Sequence, residues 1–212
     1  ASLTLRYAPG ESFVNSKQRR IPVSLDAPIF TLTHAMGFKG VLGGEYSFNR
    51  TEASVWKRFW LPSSWGKIDC SIKAGAEWNT VPFPLLILPE ANLSYITQRE
   101  TFNLINNMEF LNDRFASVSL SYDMNGKLFN RIPLIKNLKW REMFRVRALW
   151  GTLTDKNNPF KSSNPDLFRF PMRDGKFTSF VMDPKIPYVE ASVGIYNIFK
   201  LLHIEYVHRF TY

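Results

Sequence analysis

Cysteine is almost missing from this chain: Cys70 stands alone among 212 residues, which excludes an intrachain disulfide and leaves it as a small apolar side chain. Histidine is scarce as well, with only His34, His203 and His208. A metal centre needs His, Cys or carboxylates converging at ligand spacing, and His203 with Glu205 is too small a set. No metal or other cofactor is expected. A nucleophile-elbow motif is also lacking, so catalysis built on His203 and Glu205 is the weakest alternative and the chain does not read as an enzyme. Gly37, Gly40, Gly43 and Gly44 suit a tight turn rather than a phosphate-cradling loop. No uninterrupted apolar run reaches the roughly 18 residues of a membrane-crossing helix, which excludes a helical membrane protein. Acidic residues are outnumbered, 18 Asp and Glu against 27 Lys and Arg, for a net charge of +9. The cations are scattered, with no basic helix or RNA-binding motif, so nucleic acid is not an expected partner. Acidic lipid headgroups suit Lys57, Arg58 and nearby cations better.

What is present is alternation. From Ile68 to Asn79 every even position is apolar, and the odd ones are polar, charged or glycine, including Asp69, Lys73 and Glu77. Side chains of a strand alternate faces, so one face is apolar and the other wet. Strands of soluble proteins average roughly 5–6 residues, whereas a tilted membrane-spanning strand needs about 9–11. Ala116, Val118, Leu120 and Tyr122 alternate with serines and Asp123; Val189, Ala191, Val193 and Ile195 alternate with Glu190, Ser192 and Gly194. Near the end, Ile204, Tyr206 and Phe210 oppose His203, Glu205 and Arg209. Between Trp140 and Trp150, Phe144, Val146 and Ala148 share a face opposite Arg141, Arg145 and Arg147. Ten steps at about 3.3 Å, tilted by about 40°, span roughly 25 Å, the height of the apolar band of an outer-membrane barrel. Trp140 and Trp150 then sit where an aromatic girdle belongs. Met143, Leu149 and Glu142 break the pattern: the first two have wet-side parity and Glu142 has lipid-side parity.

The reading is an all-β, antiparallel transmembrane barrel with about nine strands, near 2–8, 28–36, 43–54, 67–79, 102–111, 115–124, 141–152, 187–196 and 201–212. Its lumen-facing polar ladder is Asp69, Lys73, Glu77, Asp123, Arg141, Arg145, Arg147, Glu190, His203, Glu205 and Arg209. Lys73, Arg145, Arg147 and Arg209 are expected to pair with Asp69, Glu77, Glu190 and Glu205. Asp123 and Arg141 flank one connection and are expected on the same face. Trp78 and Trp140 are expected at the periplasmic edge of the belt, and Trp150 at the outer edge. Loops 9–27 and 153–186 are placed outside; 37–40, 125–139 and 196–200 are placed inside. The proline-rich stretch 80–101 either enters the lumen or covers one mouth. An odd count of nine implies that residues 1–212 are part of a larger protein and do not close a barrel by themselves.

Several phrases carry a family resemblance: Arg6-Tyr7-Ala8-Pro9-Gly10-Glu11, Val81-Pro82-Phe83-Pro84-Leu85-Leu86, Phe102-Asn103-Leu104 and Glu109-Phe110-Leu111-Asn112-Asp113-Arg114. Phe129-Asn130-Arg131-Ile132-Pro133-Leu134-Ile135-Lys136, Lys139-Trp140-Arg141-Glu142, Gly194 through Lys200 and Ile204 through Arg209 continue it. Together they resemble the C-terminal barrel of a Bacteroidota outer-membrane family of unknown function, in which a carboxypeptidase-regulatory-like domain precedes the barrel and a last strand follows the equivalent of Arg209-Phe210-Thr211-Tyr212. The resemblance implies that an N-terminal domain, earlier strands and a final strand lie in further sequence. The family is distantly similar to surface-antigen barrels of the BamA/TamA type, although their Arg-Gly-Phe/Tyr lumen motif has no counterpart in this sequence. The resemblance implies an integral bacterial outer-membrane protein, structural or assembling in role. Its partners would be outer-membrane lipid or lipopolysaccharide and other outer-membrane or periplasmic proteins. A passive pore for small solutes and an outer-membrane hydrolase are the alternatives.

Overall fold

The computed structural model describes residues 1–24, 26–98, 100–162 and 167–212; positions 25, 99 and 163–166 of the three longest expected connections lie outside the described residues. The chain is all-β, with two single-turn 3-10 segments and one four-residue α-helix, α1 (Pro133–Lys136), among the described residues. In order, the strands are β1 (Ser2–Tyr7), β2 (Phe13–Asn15), β3 (Arg20–Pro22), β4 (Ile29–Gly37), β5 (Phe48–Trp60) and β6 (Lys67–Glu77). They continue with β7 (Arg114–Asp123), β8 (Arg141–Thr152), β9 (Met172–Arg173), β10 (Lys176–Phe177), β11 (Tyr188–Ile198) and β12 (Leu202–Arg209). Eight of them form one antiparallel sheet in the order β1-β4-β5-β6-β7-β8-β11-β12, while β2-β3 and β9-β10 are two-stranded ribbons in the connections. The sheet is not closed: among the described residues β1 bonds only to β4, and β12 only to β11.

The alternation survives across the whole sheet. Registers such as Ile72↔Val118, Leu120↔Val146 and Val146↔Ala191 keep apolar residues on one face from strand to strand. That face is exposed: Ile72, Val146 and Val193 are each nearly half accessible, and Leu5 and Tyr206 more so. The opposite face carries Arg58↔Asp69, Lys73↔Ser117, Ser119↔Arg147 and Arg147↔Glu190. Burial lies on this polar side. One apolar cluster unites Phe102, Ile105, Phe110, Leu149, Met182 and Tyr188; a second unites Val81, Leu86, Leu111, Leu153 and Phe170. Both join the sheet to the connections 79–113 and 153–187.

Three expectations need correction. Residues 102–111 form no ladder strand and touch their surroundings through isolated bridges, Ala91↔Phe102 and Phe110↔Phe180. Asn103, Asn106 and Asn107 are poor strand formers, and Glu109 folds back to accept the Asn106 N–H at 2.8 Å. The sheet therefore has eight strands rather than nine, and every element before residue 79 reverses its end. Trp78 lies beside the Trp150 end of the sheet rather than the Trp140 end, because Ala76 pairs with Arg114 and Arg114 with Thr152. For the same reason the turn after Gly37 shares an end with 153–187, and loop 9–27 shares one with 125–139. Finally, β5 extends to Trp60, not residue 54, since Trp56 and Trp60 occupy the polar face and hide the alternation; the Arg58 guanidinium stands 5.4 and 5.6 Å from their rings.

Candidate functional site

The polar face begins as a ladder that no strand could hold alone. A charged side chain removed from water needs a partner of opposite sign and further hydrogen bonds to offset its desolvation. On β8, Arg145 reaches across β11 to Glu205 of β12 at 3.0 Å, with both side chains essentially buried. Ser192 of the intervening strand donates its hydroxyl to the same carboxylate, and His203 Nε2 lies 3.4 Å away. Gly194 makes room for this group, because a Cβ there would stand 3.1 Å from His203 Nε2. Arg147 pairs with Glu190 at 2.9 Å. Glu190 also accepts the Tyr188 hydroxyl at 2.9 Å and the N–H groups of Asn103 and Leu104 at 3.0 and 3.2 Å. Toward the other end, Arg58 binds Asp69 at 2.6 Å, and Asp123 accepts the Tyr196 hydroxyl at 2.6 Å with Lys67 at 3.9 Å.

Of the cations expected to pair with Asp69, Glu77, Glu190 or Glu205, Arg145 meets Glu205 and Arg147 meets Glu190. Two other arginines or lysines of the ladder have different partners: Lys73 binds Glu90 at 2.6 Å and Arg209 binds Glu109 at 2.7 Å. Both acids come from residues 79–113, which sequence periodicity could not place on the sheet. Asp69 and Glu77 are instead met by Arg58 and Arg50 of β5. Asp123 and Arg141 share a face as expected; Tyr196, paired with Arg141 in the ladder, bridges to Asp123, and the Arg141 guanidinium lies 6.0 Å from its ring. Glu142, of lipid-side parity in the sequence, is buried and accepts the Phe129 N–H of the turn that folds back over it. Leu149 has the parity of the polar face because Phe102, Ile105 and Phe110 of the covering segment meet it there.

The covering segment 79–113 is thus fixed at its root by carbon contacts and buried polar groups. Arg50 donates to the Leu85 carbonyl, and Val81 N–H donates to Asn157 Oδ1 at 2.8 Å. Fully buried Asp113 accepts from Thr154 and from Asn157 Nδ2. At Gly151 a Cβ would collide with the Asn112 side chain, so glycine lets the segment lie directly on β8. Between segment and sheet remains a cavity of about 440 Å³ whose floor includes Ser54, Ser71, Ser117, Ser119 and Ser121. Outside the strands, in the connection after β1, the two-pronged hydrogen bond from Arg6 holds the exposed Glu11 carboxyl below its ordinary range. No described helix is long and apolar enough to cross a membrane, which says nothing of a crossing by strands.

No curated protein and no solved structure matches the chain. Residues 1–160 match the C-terminal domain of a family of unknown function, DUF5686. The matched span runs from β1 through β8 and so takes in the covering segment, its ion-pair partner Lys73, its hydrogen-bond partner Arg147, and six of the eight sheet strands. On this match the chain belongs to the DUF5686 family, to which no function is assigned.

Proposed function

We propose that the sheet is part of the wall of an integral β-barrel in the bacterial outer membrane. Its role is that of a structural or assembly component of an outer-membrane protein complex. The observation that carries this reading is the inverted sheet: ion pairs buried on one face, and apolar side chains exposed across all eight strands on the other. Exposed apolar patches beyond a few hundred Å² mark an interaction surface in soluble proteins, and a face of this extent suits acyl chains. Backbone groups within lipid must all be bonded, which requires a closed barrel; further strands against the free edges of β1 and β12 complete it. Eight strands enclose little more than their own side chains, so a wall around segment 79–113 needs a larger number.

Outer-membrane barrels have short periplasmic turns and longer external loops. The Trp140 end, with the tight turns 61–66 and 199–201, is then periplasmic, and the end with 79–113 and 153–187 is external. Trp140 marks the periplasmic girdle, while Trp78 and Trp150 mark the outer one. Outer-membrane lipid or lipopolysaccharide covers the belt, and other outer-membrane or periplasmic proteins are the partners. The occupied polar face favours this role over a constantly open pore. Fractionation tests it: the natural full-length protein should be found in the outer membrane, change gel mobility on heating, and co-purify with envelope proteins. Recovery in a soluble fraction, or a mobility unaffected by heat, would overturn the reading.

A further inference from the structure

Segment 79–113 has two parts held in different ways. Its root, 81–87 and 102–113, stands on the two apolar clusters and on Asp113. Its middle, described over 92–98 and 100–101, is closed at its stem by the Ala91↔Phe102 bridge, with the Asn92 N–H donating to the Phe102 carbonyl at 2.8 Å. Among the described residues, that loop region meets the wall through polar contacts: Lys73 to Glu90 at the stem, 2.6 Å, and Arg147 to the Gln98 carbonyl, 3.2 Å. The Lys73–Glu90 pair is a third to a half exposed, and such pairs contribute little and weaken with salt. The loop tip places Leu93, Tyr95 and Ile96 in the open rather than in a core. Beneath lies the 440 Å³ cavity, bordered by Glu90, Glu100 and Phe102 of the segment.

The cavity floor has a definite chemistry. Five serine hydroxyls from β5, β6 and β7 face it, and Trp56 and Tyr196 line it as aromatic walls. Its cations are matched by acids, Arg58 by Asp69, Lys73 by Glu90 and Arg147 by Glu190. An anion drawn to one of these cations would have to separate its pair, whereas an uncharged polyhydroxyl solute exchanges water for serine hydroxyls and ring faces. We propose that residues 92–98 form a lid, latched by Lys73–Glu90 and Arg147–Gln98, over a vestibule that admits small uncharged polyhydroxyl solutes. The inference rests on the barrel reading above, since the vestibule is a stretch of lumen.

Proteoliposome swelling on the natural full-length protein tests it, with arabinose as the uncharged probe and glucuronate as the anionic one. Two variants loosen the lid by different means: Lys73→Gln, and replacement of 92–101 by a short Gly-Ser link between Ala91 and Phe102, which already lie side by side. Wild type should swell slowly in arabinose and faster in high salt. Both variants should swell faster, Lys73→Gln by up to about fivefold, since an exposed pair contributes at most about 1 kcal/mol, and the Gly-Ser replacement by more. Glucuronate should lag behind arabinose. Equal arabinose rates in wild type and both variants, with heat-modifiable mobility retained, would overturn the lid. Glucuronate entering as fast as arabinose would overturn the uncharged class. Loss of heat-modifiable mobility in wild type itself would overturn the barrel reading and the lid with it, a result separable from the other two.

Discussion

Single residues show why face parity alone misleads. Leu149 is apolar on a polar face, and only the covering segment explains it. Truncating it to alanine opens a cavity among Phe102, Phe110 and Tyr188, and should cost about 2–5 kcal/mol in urea unfolding of the refolded protein. A cost below about 1 kcal/mol would mean that the segment does not pack there. Glu190 offers the complementary case. It serves Arg147, Tyr188 and two backbone N–H groups at once, so Glu190→Ala strands a buried guanidinium and should cost about 3–5 kcal/mol. The charges of the ladder were legible from alternation on each strand. Glu90, Glu109 and Asp113 were not, because their roles depend on where an irregular segment lies, and no periodicity reports that.

At the scale of elements, long strands with strict alternation announce themselves: β6, β7, β8 and β11 lie where the pattern places them, within a residue or two. Two failures have physical causes. Residues 102–111 have strand-like apolar content, but Phe102, Ile105, Phe110 and Leu111 keep no period of two, and they serve a core instead. In β5 a Trp-Arg-Trp ladder on the wet face cancels the contrast that would have revealed its second half. The edge strand β12 is tied to the sheet by the Arg145–Glu205 pair as well as by its backbone. Glu205→Leu alone should destabilise by about 3–5 kcal/mol, whereas Arg145→Met with Glu205→Leu should recover most of that loss. A double variant as unstable as the single would show that the pair acts through more than charge compensation.

For the whole molecule, the sheet and its two unlike faces were legible in the sequence, while strand count and end assignment were not. One missing strand reversed the ends of everything before it, which moved Trp78 from the Trp140 side to the Trp150 side. The central claim is that the exposed apolar face meets lipid. An arginine at Val146, near the middle of β8, should cost about 2–4 kcal/mol of barrel stability. The most direct measurement is spin-label accessibility in bilayers, with single cysteines at Val118, Val146, Val193 and Tyr206 against Ser117, Ser119 and Ser121, all in a Cys70→Ala background. The account predicts a period of two: the first set accessible to oxygen and shielded from a water-soluble nickel chelate, the second set the reverse or occluded from both. Nickel accessibility at Val146 and Val193 equal to that of an aqueous loop would contradict it.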